Sequence, residues 1–359
     1  MPAVSLAIWV YLLFLRGMFW RVGPLLKRPA TAPQRARVVA VIPARDEEEV
    51  IGAAIESLSR QQFPGELQII VVDDNSSDGT ADIARLKGAT VIAAGPLPSG
   101  WTGKLWAVSR GVIEAQRFNP DYLLLTDADI EHGRTSVADL LARNLPMASV
   151  MVRLRCESLA ERLLVPAFVF FFFKLYPPAW IANPKARTAG AAGGCILIRA
   201  DMLERVGGID AIRSELIDDC ALARAVKKHG PVWLGMSSDT RSLRAYGSFA
   251  SIWNMVARTA FTQLQHSKIL LAGTMLGMFF TYLAPPMFAL AGSWLAAAAW
   301  AVLCAAYVPM LRFYRQPMLV APLLPAIALF YLGATVYSAA QYWLGSGGQW
   351  KGRVQDQRQ

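Results

Sequence analysis

Residues 269–311 carry no charged side chain, and beyond Arg312 and Arg315 residues 318–345 again carry none. An apolar run of about 20 residues makes a helix long enough to cross a bilayer. The first stretch therefore predicts two such helices, with Pro285-Pro286 at the turn, and the second predicts one. At 54% hydrophobic residues the chain of 359 holds more apolar material than one soluble core consumes, which agrees with a membrane component. Basic residues near a span stay on the cytoplasmic side, so Arg312 and Arg315 predict a cytoplasmic loop after an entry at Lys268. Three spans in 268–344 then put the polar tail 345–359, with Lys351, Arg353 and Arg358, outside. That runs against the same tendency and leaves the number of spans at about three.

The N-terminus repeats the theme. Residues 1–22 are mostly apolar, and the basic residues follow the run (Arg16, Arg21, Lys27, Arg28, Arg35, Arg37) where a cleaved signal would have them first. An uncleaved anchor over 1–22, its N-terminus outside, and a basic linker over 23–37 are expected. The net charge of +10 sits largely beside apolar segments and has no interleaved aromatic pattern of a nucleic-acid module, so attraction to an anionic membrane surface is expected and nucleic-acid binding is not. Cys156, Cys195, Cys220 and Cys304 have neither metal-type nor disulfide spacing, which suits a reducing compartment.

Between residues 38 and 265 the pattern changes to α/β. The runs at 38–44, 67–74, 89–94 and 122–129 are apolar and rich in strand formers, and amphipathic segments such as 47–61 separate them. Continuous apolar strands alternating with helices predict a mostly parallel sheet covered on both faces, whose ligands bind at the carboxyl ends of the strands. Acids collect there: Glu47 after the first strand, Asp73 and Asp74 after the second, Asp127 and Asp129 after the fourth. Neither a dinucleotide fingerprint nor a P-loop occurs, which argues against those chemistries.

Each motif has a plain reading beside a functional one. DNSSDGT (74–80) makes turns and caps a helix near Gly79, but a strand end needs no doubled acid. Asp127 and Asp129 are either turn residues or, as alternate residues sharing a strand face, ligands for one Mg²⁺ or Mn²⁺ holding a diphosphate. Lys104, in the Gly-rich entry GWTGKLWAVSRG (100–111) to a helix, is either solvated or a phosphate contact. Gly193 and Gly194 open a strand, short helix and Gly turn (193–210) and are either packing residues or a place where substrate passes the backbone. Asp218 and Asp219 begin a helix, where they complement its dipole or supply a carboxylate base whose proton affinity the neighbouring acid raises. The segment 163–181 is interrupted by Pro166, Lys174 and Pro177-Pro178, and an interfacial aromatic helix is expected there rather than a span.

In the order VIPARDEE, VVDDNSSDGT, TDAD, GGCILIRADMLERVGG and IDDCALARAVK, the chain resembles the family-two glycosyltransferases of GT-A fold over about residues 38–235. With GWTGKLWAVSRG, FFFFKLYPPAWIANP and VARTAFTQLQHS it further resembles the hopene-associated glycosyltransferases of bacterial hopanoid clusters and, more distantly, ceramide glucosyltransferase. The resemblance implies a multi-pass inner-membrane enzyme with a cytoplasmic catalytic domain. Such an enzyme moves a sugar from a nucleotide-diphosphate sugar to a lipid acceptor hydroxyl, with Mg²⁺ or Mn²⁺. It implies Pro43, Glu47, Asp74, Lys104, Asp127 and Arg258 around the nucleotide sugar and Asp129, with Asp127, at the metal. Asp219 would be the base with Asp218 beside it, and Gly193, Gly194 and Gln263 would lie in the acceptor region. The family's Q-x-x-R-W motif is broken: Thr259 follows Arg258 and Met255 precedes it, which speaks against polymer synthesis. A polyprenyl-phosphate sugar synthase or polysaccharide synthase is the enzyme alternative. An inactive GT-A membrane scaffold is the non-enzyme one, and it predicts lost acids where here the positions are filled.

Overall fold

Ala36–Ala44 (β1) is buried almost from end to end, as a strand covered on both faces must be, and it lies inside an eight-stranded sheet. The others are Gly65–Asp73 (β2), Thr90–Ala93 (β3), Tyr122–Thr126 (β4), Ile130–Glu131 (β5), Met147–Arg153 (β6), Cys195–Arg199 (β7) and Val232–Ser242 (β8). Their order is β3-β2-β1-β4-β7-β6-β8-β5. The structure is a computed structural model that describes residues 1–26 and 35–345, with backbone alone at 349–350 and 353–354. Lys27 and Arg28 of the expected linker, and Lys351 and Arg358 of the expected tail, lie outside the described residues.

The β3-β2-β1-β4 half is parallel throughout, as the alternation of strands and helices requires. The other half is mixed: β7 runs antiparallel to both β4 and β6, β6 pairs parallel with β8, and β8 antiparallel with β5. The helices Ile51–Ser59, Thr80–Leu86, Gly103–Ala115 and Asp218–Lys227 follow strand ends or turns and carry buried apolar residues. Gly111 permits a close approach: a Cβ there would fall inside the van der Waals contact of Val41 on β1 and Val72 on β2. β1 pairs with β2 through Ala44 but with β4 only through Val41. Pro43 therefore stands where the sheet opens on its β4 side, and its missing N–H leaves no gap in that ladder.

The chain divides into two units, the sheet unit of Pro24–Arg155 with Trp180–Arg244 and a second of Met1–Gly23, Cys156–Ala179 and Ala245–Gln359. Among its described residues the second unit is helical apart from a short antiparallel strand pair, Gln349–Trp350 with Arg353–Val354. Among the described residues four helices are long and apolar enough to cross a membrane: Leu159–Ala182, Lys268–Leu290, Trp294–Phe313 and Met318–Trp343. The last three match the expected three C-terminal helices in place, although the first turn differs. A π turn at Phe279–Leu283 widens the ladder just before Pro285 and Pro286, which then occupy the start of Ala284–Leu290, where a missing N–H costs least. The chain reverses instead at Gly292 (φ 90°), and Ser293 caps the next helix.

Two other segments depart from expectation. The N-terminal helix spans Pro2–Phe14, 13 residues, or about 20 Å at 1.5 Å per residue. That falls short of a hydrocarbon core of about 30 Å. The run breaks where Gly17 and Met18 take positive φ (63° and 51°). Conversely, Leu159–Ala182 has the length and composition of a span. Lys174, whose charge argued against it, donates from Nζ to the Tyr282 hydroxyl at 2.9 Å and lies 4.6 Å from that ring's centroid. The phenylalanine run packs inside this unit, with Phe170 on Tyr307 and Phe171 on Tyr282 and Tyr331.

Candidate active site

At the carboxyl edge of β1 and β4 the sheet unit has a cleft of about 370 Å³, open to solvent and lined by Pro43, Lys104, Thr126, Asp127, Gly193, Asp218 and Asp219 among others. Three segments supply its charged groups. Thr102 caps the helix Gly103–Ala115 through Oγ1, which accepts from the Leu105 N–H at 3.3 Å, and this fixes Lys104 in the first turn. The Lys104 ammonium lies 2.9 Å from Asp127 Oδ1 and 3.4 Å from Asp218 Oδ2, so one cation bridges a strand end and a helix start. Although burial would pull it down, the carboxylates of Asp127 and Asp218 hold its pKa above the ordinary lysine value.

Asp219 is the better shielded of the helix-start pair. Its Oδ2 accepts from the Gly193 N–H at 2.8 Å and its Oδ1 from the Cys220 N–H at 2.7 Å. Burial, and then the adjacent Asp218, raise its carboxyl to about 7 against the opposing pull of Lys104. A carboxylate that exchanges its proton near neutrality can act as a general base there. Gly193 faces this group: a Cβ would sit 3.4 Å from Asp219 Oδ2 and 3.6 Å from Lys104 Nζ. Gly194 turns to packing, with Ile130 and Val152 at 3.3 and 3.4 Å from its Cβ position.

The expectation that Asp127 and Asp129 share a face rests on strand alternation, and the strand stops too early for it. β4 ends at Thr126 and both acids lie in the turn before β5. They consequently hold different partners. Asp127 pairs with Lys104, while Asp129 Oδ2 accepts from the Ser242 hydroxyl at 2.7 Å and lies 3.2 Å from Arg244 Nε. Burial, then the neighbouring Asp127, push the Asp129 carboxyl above its ordinary range. Arg244 also reaches Glu47 Oε1 at 2.7 Å. Lys104 thus serves Asp127 and Asp218 and acts on Asp219, while Arg244 serves Glu47 and Asp129.

Asp74 is almost wholly buried after β2, with Arg45 Nη1 3.4 Å from Oδ2. The loops after β1 and β2 are latched together: Asp46 accepts from the Ser77 N–H, Glu48 from the Gly79 N–H, and the Glu47 N–H donates to Thr80 Oγ1. Within DNSSDGT, Ser77, Gly79 and Thr80 thus serve the turn, while Asp74 pairs with Arg45. Arg258 and Gln263 belong to the helical unit, where Gln263 Oε1 accepts from the Tyr176 hydroxyl at 2.8 Å.

Sequence reasoning missed Arg244, Ser242, Thr126 and Ser149. Arg244 meets partners 115 and 197 positions away, and no local pattern marks such a residue. Thr126, directly before Asp127, was the one within reach.

This strand-edge cleft of acids on a half-parallel sheet has the form of a GT-A-like fold. Residues 39–207, a little under half of the chain, match the sequence model described as Glycosyl transferase family 2. The 4,4'-diaponeurosporenoate glycosyltransferase of Staphylococcus aureus is 37% identical over 102 residues, 28% of this chain and 26% of that protein. The match thus spans about a quarter of that relative's length. The mannosyltransferase of Pyrobaculum calidifontis, solved in complex with GDP-Man and Mn²⁺, is similar with a TM-score of 0.52 at 18% identity, over 93% of this chain and 98% of that one. Likeness at that identity is likeness of fold.

Proposed function

We propose that this chain is a membrane-associated, inverting glycosyltransferase that moves a sugar from a nucleotide-diphosphate sugar to a hydroxyl on a lipid. The observation that carries the reading is Asp219, raised to about 7 at the wall of a cleft that also holds Lys104 and Asp127. In the reaction the acceptor oxygen bonds to the anomeric carbon and the bond from that carbon to the diphosphate breaks. The acceptor proton passes to Asp219, and the nucleoside diphosphate leaves with the bond's electrons. Gly193, with no side chain, leaves the acceptor oxygen room beside Asp219. Lys104 contributes positive charge toward the diphosphate, and Pro43, Glu47 and Asp74 line the nucleoside side.

The donor set favours a divalent cation. Its groups are carboxylate oxygens, the hard donors that suit Mg²⁺ or Mn²⁺. Among the described residues no group of three or more His, Cys, Asp or Glu is placed to hold a metal ion by itself. This is compatible with an ion held by Asp129, with Asp127, and completed by the donor's own phosphates. Bound there, the ion would neutralise charge on the departing diphosphate. The similar mannosyltransferase was solved with GDP-Man and Mn²⁺.

The four long apolar helices and the relative named for diaponeurosporenoate support a lipid acceptor. A hopanoid is the narrower proposal. The basic residues around the apolar segments favour a cytoplasmic catalytic unit on an inner membrane. Leu159–Ala182 either lies in the interface or spans, and either position brings an apolar acceptor to the enzyme. Arg258 and Gln263 are proposed for the diphosphate and the acceptor. The test is Asp219→Asn, expected to abolish transfer while the affinity for nucleotide is retained. Undiminished transfer by the purified variant would reject the base.

A further inference from the structure

His132 is buried, its backbone N–H donates to Ser57 Oγ at 2.9 Å, and its Nδ1 has no hydrogen-bond partner among the described residues. Its Nε2 lies 3.0 Å from Thr126 Oγ1, and Thr126 Oγ1 lies 2.8 Å from the Gly194 carbonyl oxygen. A carbonyl oxygen only accepts, so the single hydroxyl proton of Thr126 points to Gly194, and His132 Nε2–H must donate to Thr126. The bare Nδ1 follows from this assignment, since a neutral ring has one proton. Burial keeps the ring neutral, drawing its pKa down to about 4.

The chain His132, Thr126, Gly194 ends one residue from the amide that holds Asp219. On the other side of the turn Ser149, fully buried on β6, accepts from the Ala192 N–H at 2.8 Å and donates to the Ala192 carbonyl at 3.1 Å. That carbonyl and the Gly193 N–H belong to one planar peptide. The segment 192–194 is thus held from β6 at one end and from the end of β4 at the other, with Gly193 N–H between them at 2.8 Å from Asp219 Oδ2. A structural purpose alone would be met by an apolar side chain at His132, which leaves no buried nitrogen unpaired.

We infer that His132 is a positioning residue for Asp219, acting through Thr126 to fix the turn whose Gly193 amide orients the carboxylate. It touches no substrate. The inference rests on Asp219 being the base of the proposed reaction. The test uses full-length protein in detergent or membranes. His132→Leu removes the donor and His132→Gln keeps one; Thr126→Val breaks the chain at its middle and covers the case in which His132→Leu does not fold. Expected are a kcat about ten- to a hundredfold lower in His132→Leu and Thr126→Val, a donor KM unchanged within about twofold, and recovery of most of kcat in His132→Gln. Hydrogen exchange across residues 191–195 should quicken in the two broken variants and not in His132→Gln. Parent-like kcat together with parent-like exchange in both broken variants overturns the inference and leaves the base reading intact. Undiminished transfer in Asp219→Asn overturns the base reading, and the exchange result still decides whether His132 fixes the turn.

Discussion

The proton affinity of Asp219 gives the site a measurable signature. A carboxyl at about 7 is ionised in about one molecule in ten at pH 6, half at pH 7 and about nine in ten at pH 8. If the ionised form takes the acceptor's proton, kcat/KM for the nucleotide sugar climbs about tenfold from pH 6 to pH 8, because that ratio reports the free enzyme. The neighbours move this limb in opposite directions. Asp218 raises the Asp219 carboxyl, so Asp218→Asn shifts the limb to lower pH; the gain is at most about twofold at pH 7, where half the molecules are already bases, and up to about tenfold at pH 6. Lys104 lowers it, so Lys104→Met shifts the limb to higher pH. Lys104 is also placed toward the diphosphate, so its plateau falls as well, and the midpoint rather than the height is the quantity to compare. The assay is transfer of labelled sugar into extracted lipid at donor concentrations below KM and saturating Mg²⁺ or Mn²⁺, from pH 5 to 9. A parent midpoint below about pH 5, or one midpoint common to all three proteins, refutes the reasoning.

Three further outcomes follow from the packing and charge of the sheet unit. Arg244→Met removes the guanidinium that meets Glu47 and Asp129 at 2.7 and 3.2 Å; a loss of about 1–3 kcal/mol in denaturant unfolding of the sheet unit is expected. Gly111→Ala drives a methyl into Val41 and Val72, and overpacking of this kind costs about 1–3 kcal/mol, read as a lower Tm with KM unchanged. Asp129→Ala should abolish the dependence of nucleotide binding on Mg²⁺ or Mn²⁺ in calorimetry, and metal-dependent binding of parental strength would remove Asp129 from the ion.

The parallel half of the sheet was legible because its signal is local. Burial on both faces forces an apolar run, and β1, β2, β3 and β4 each carry one. The helix starts at Lys104 and at Asp218-Asp219 were equally readable, from a Gly-rich entry and from acids suited to a helix dipole. The antiparallel half was not, because the pairing of β7 with both β4 and β6 is decided by contacts remote in sequence. The same limit hid Arg244, whose value comes from two carboxylates far along the chain. Asp127 and Asp129 were found by position but misjudged in geometry: alternation places two residues on one face only while the strand continues, and β4 ends at Thr126. In the helical unit hydropathy located the C-terminal helices, while the π turn ahead of Pro285 and the break at Gly17 depend on backbone detail that apolar composition does not carry.

The central claim is that the cleft around Asp219 transfers sugar to lipid. Membranes containing the parent chain or Asp219→Asn are incubated with a panel of labelled nucleotide sugars and Mg²⁺ or Mn²⁺, and the lipid is extracted and resolved. One labelled lipid, with inverted anomeric configuration, is expected from the parent and none from Asp219→Asn, although that variant still binds the nucleotide. Label that never enters the lipid fraction from any donor, or equal incorporation by the two proteins, contradicts that claim.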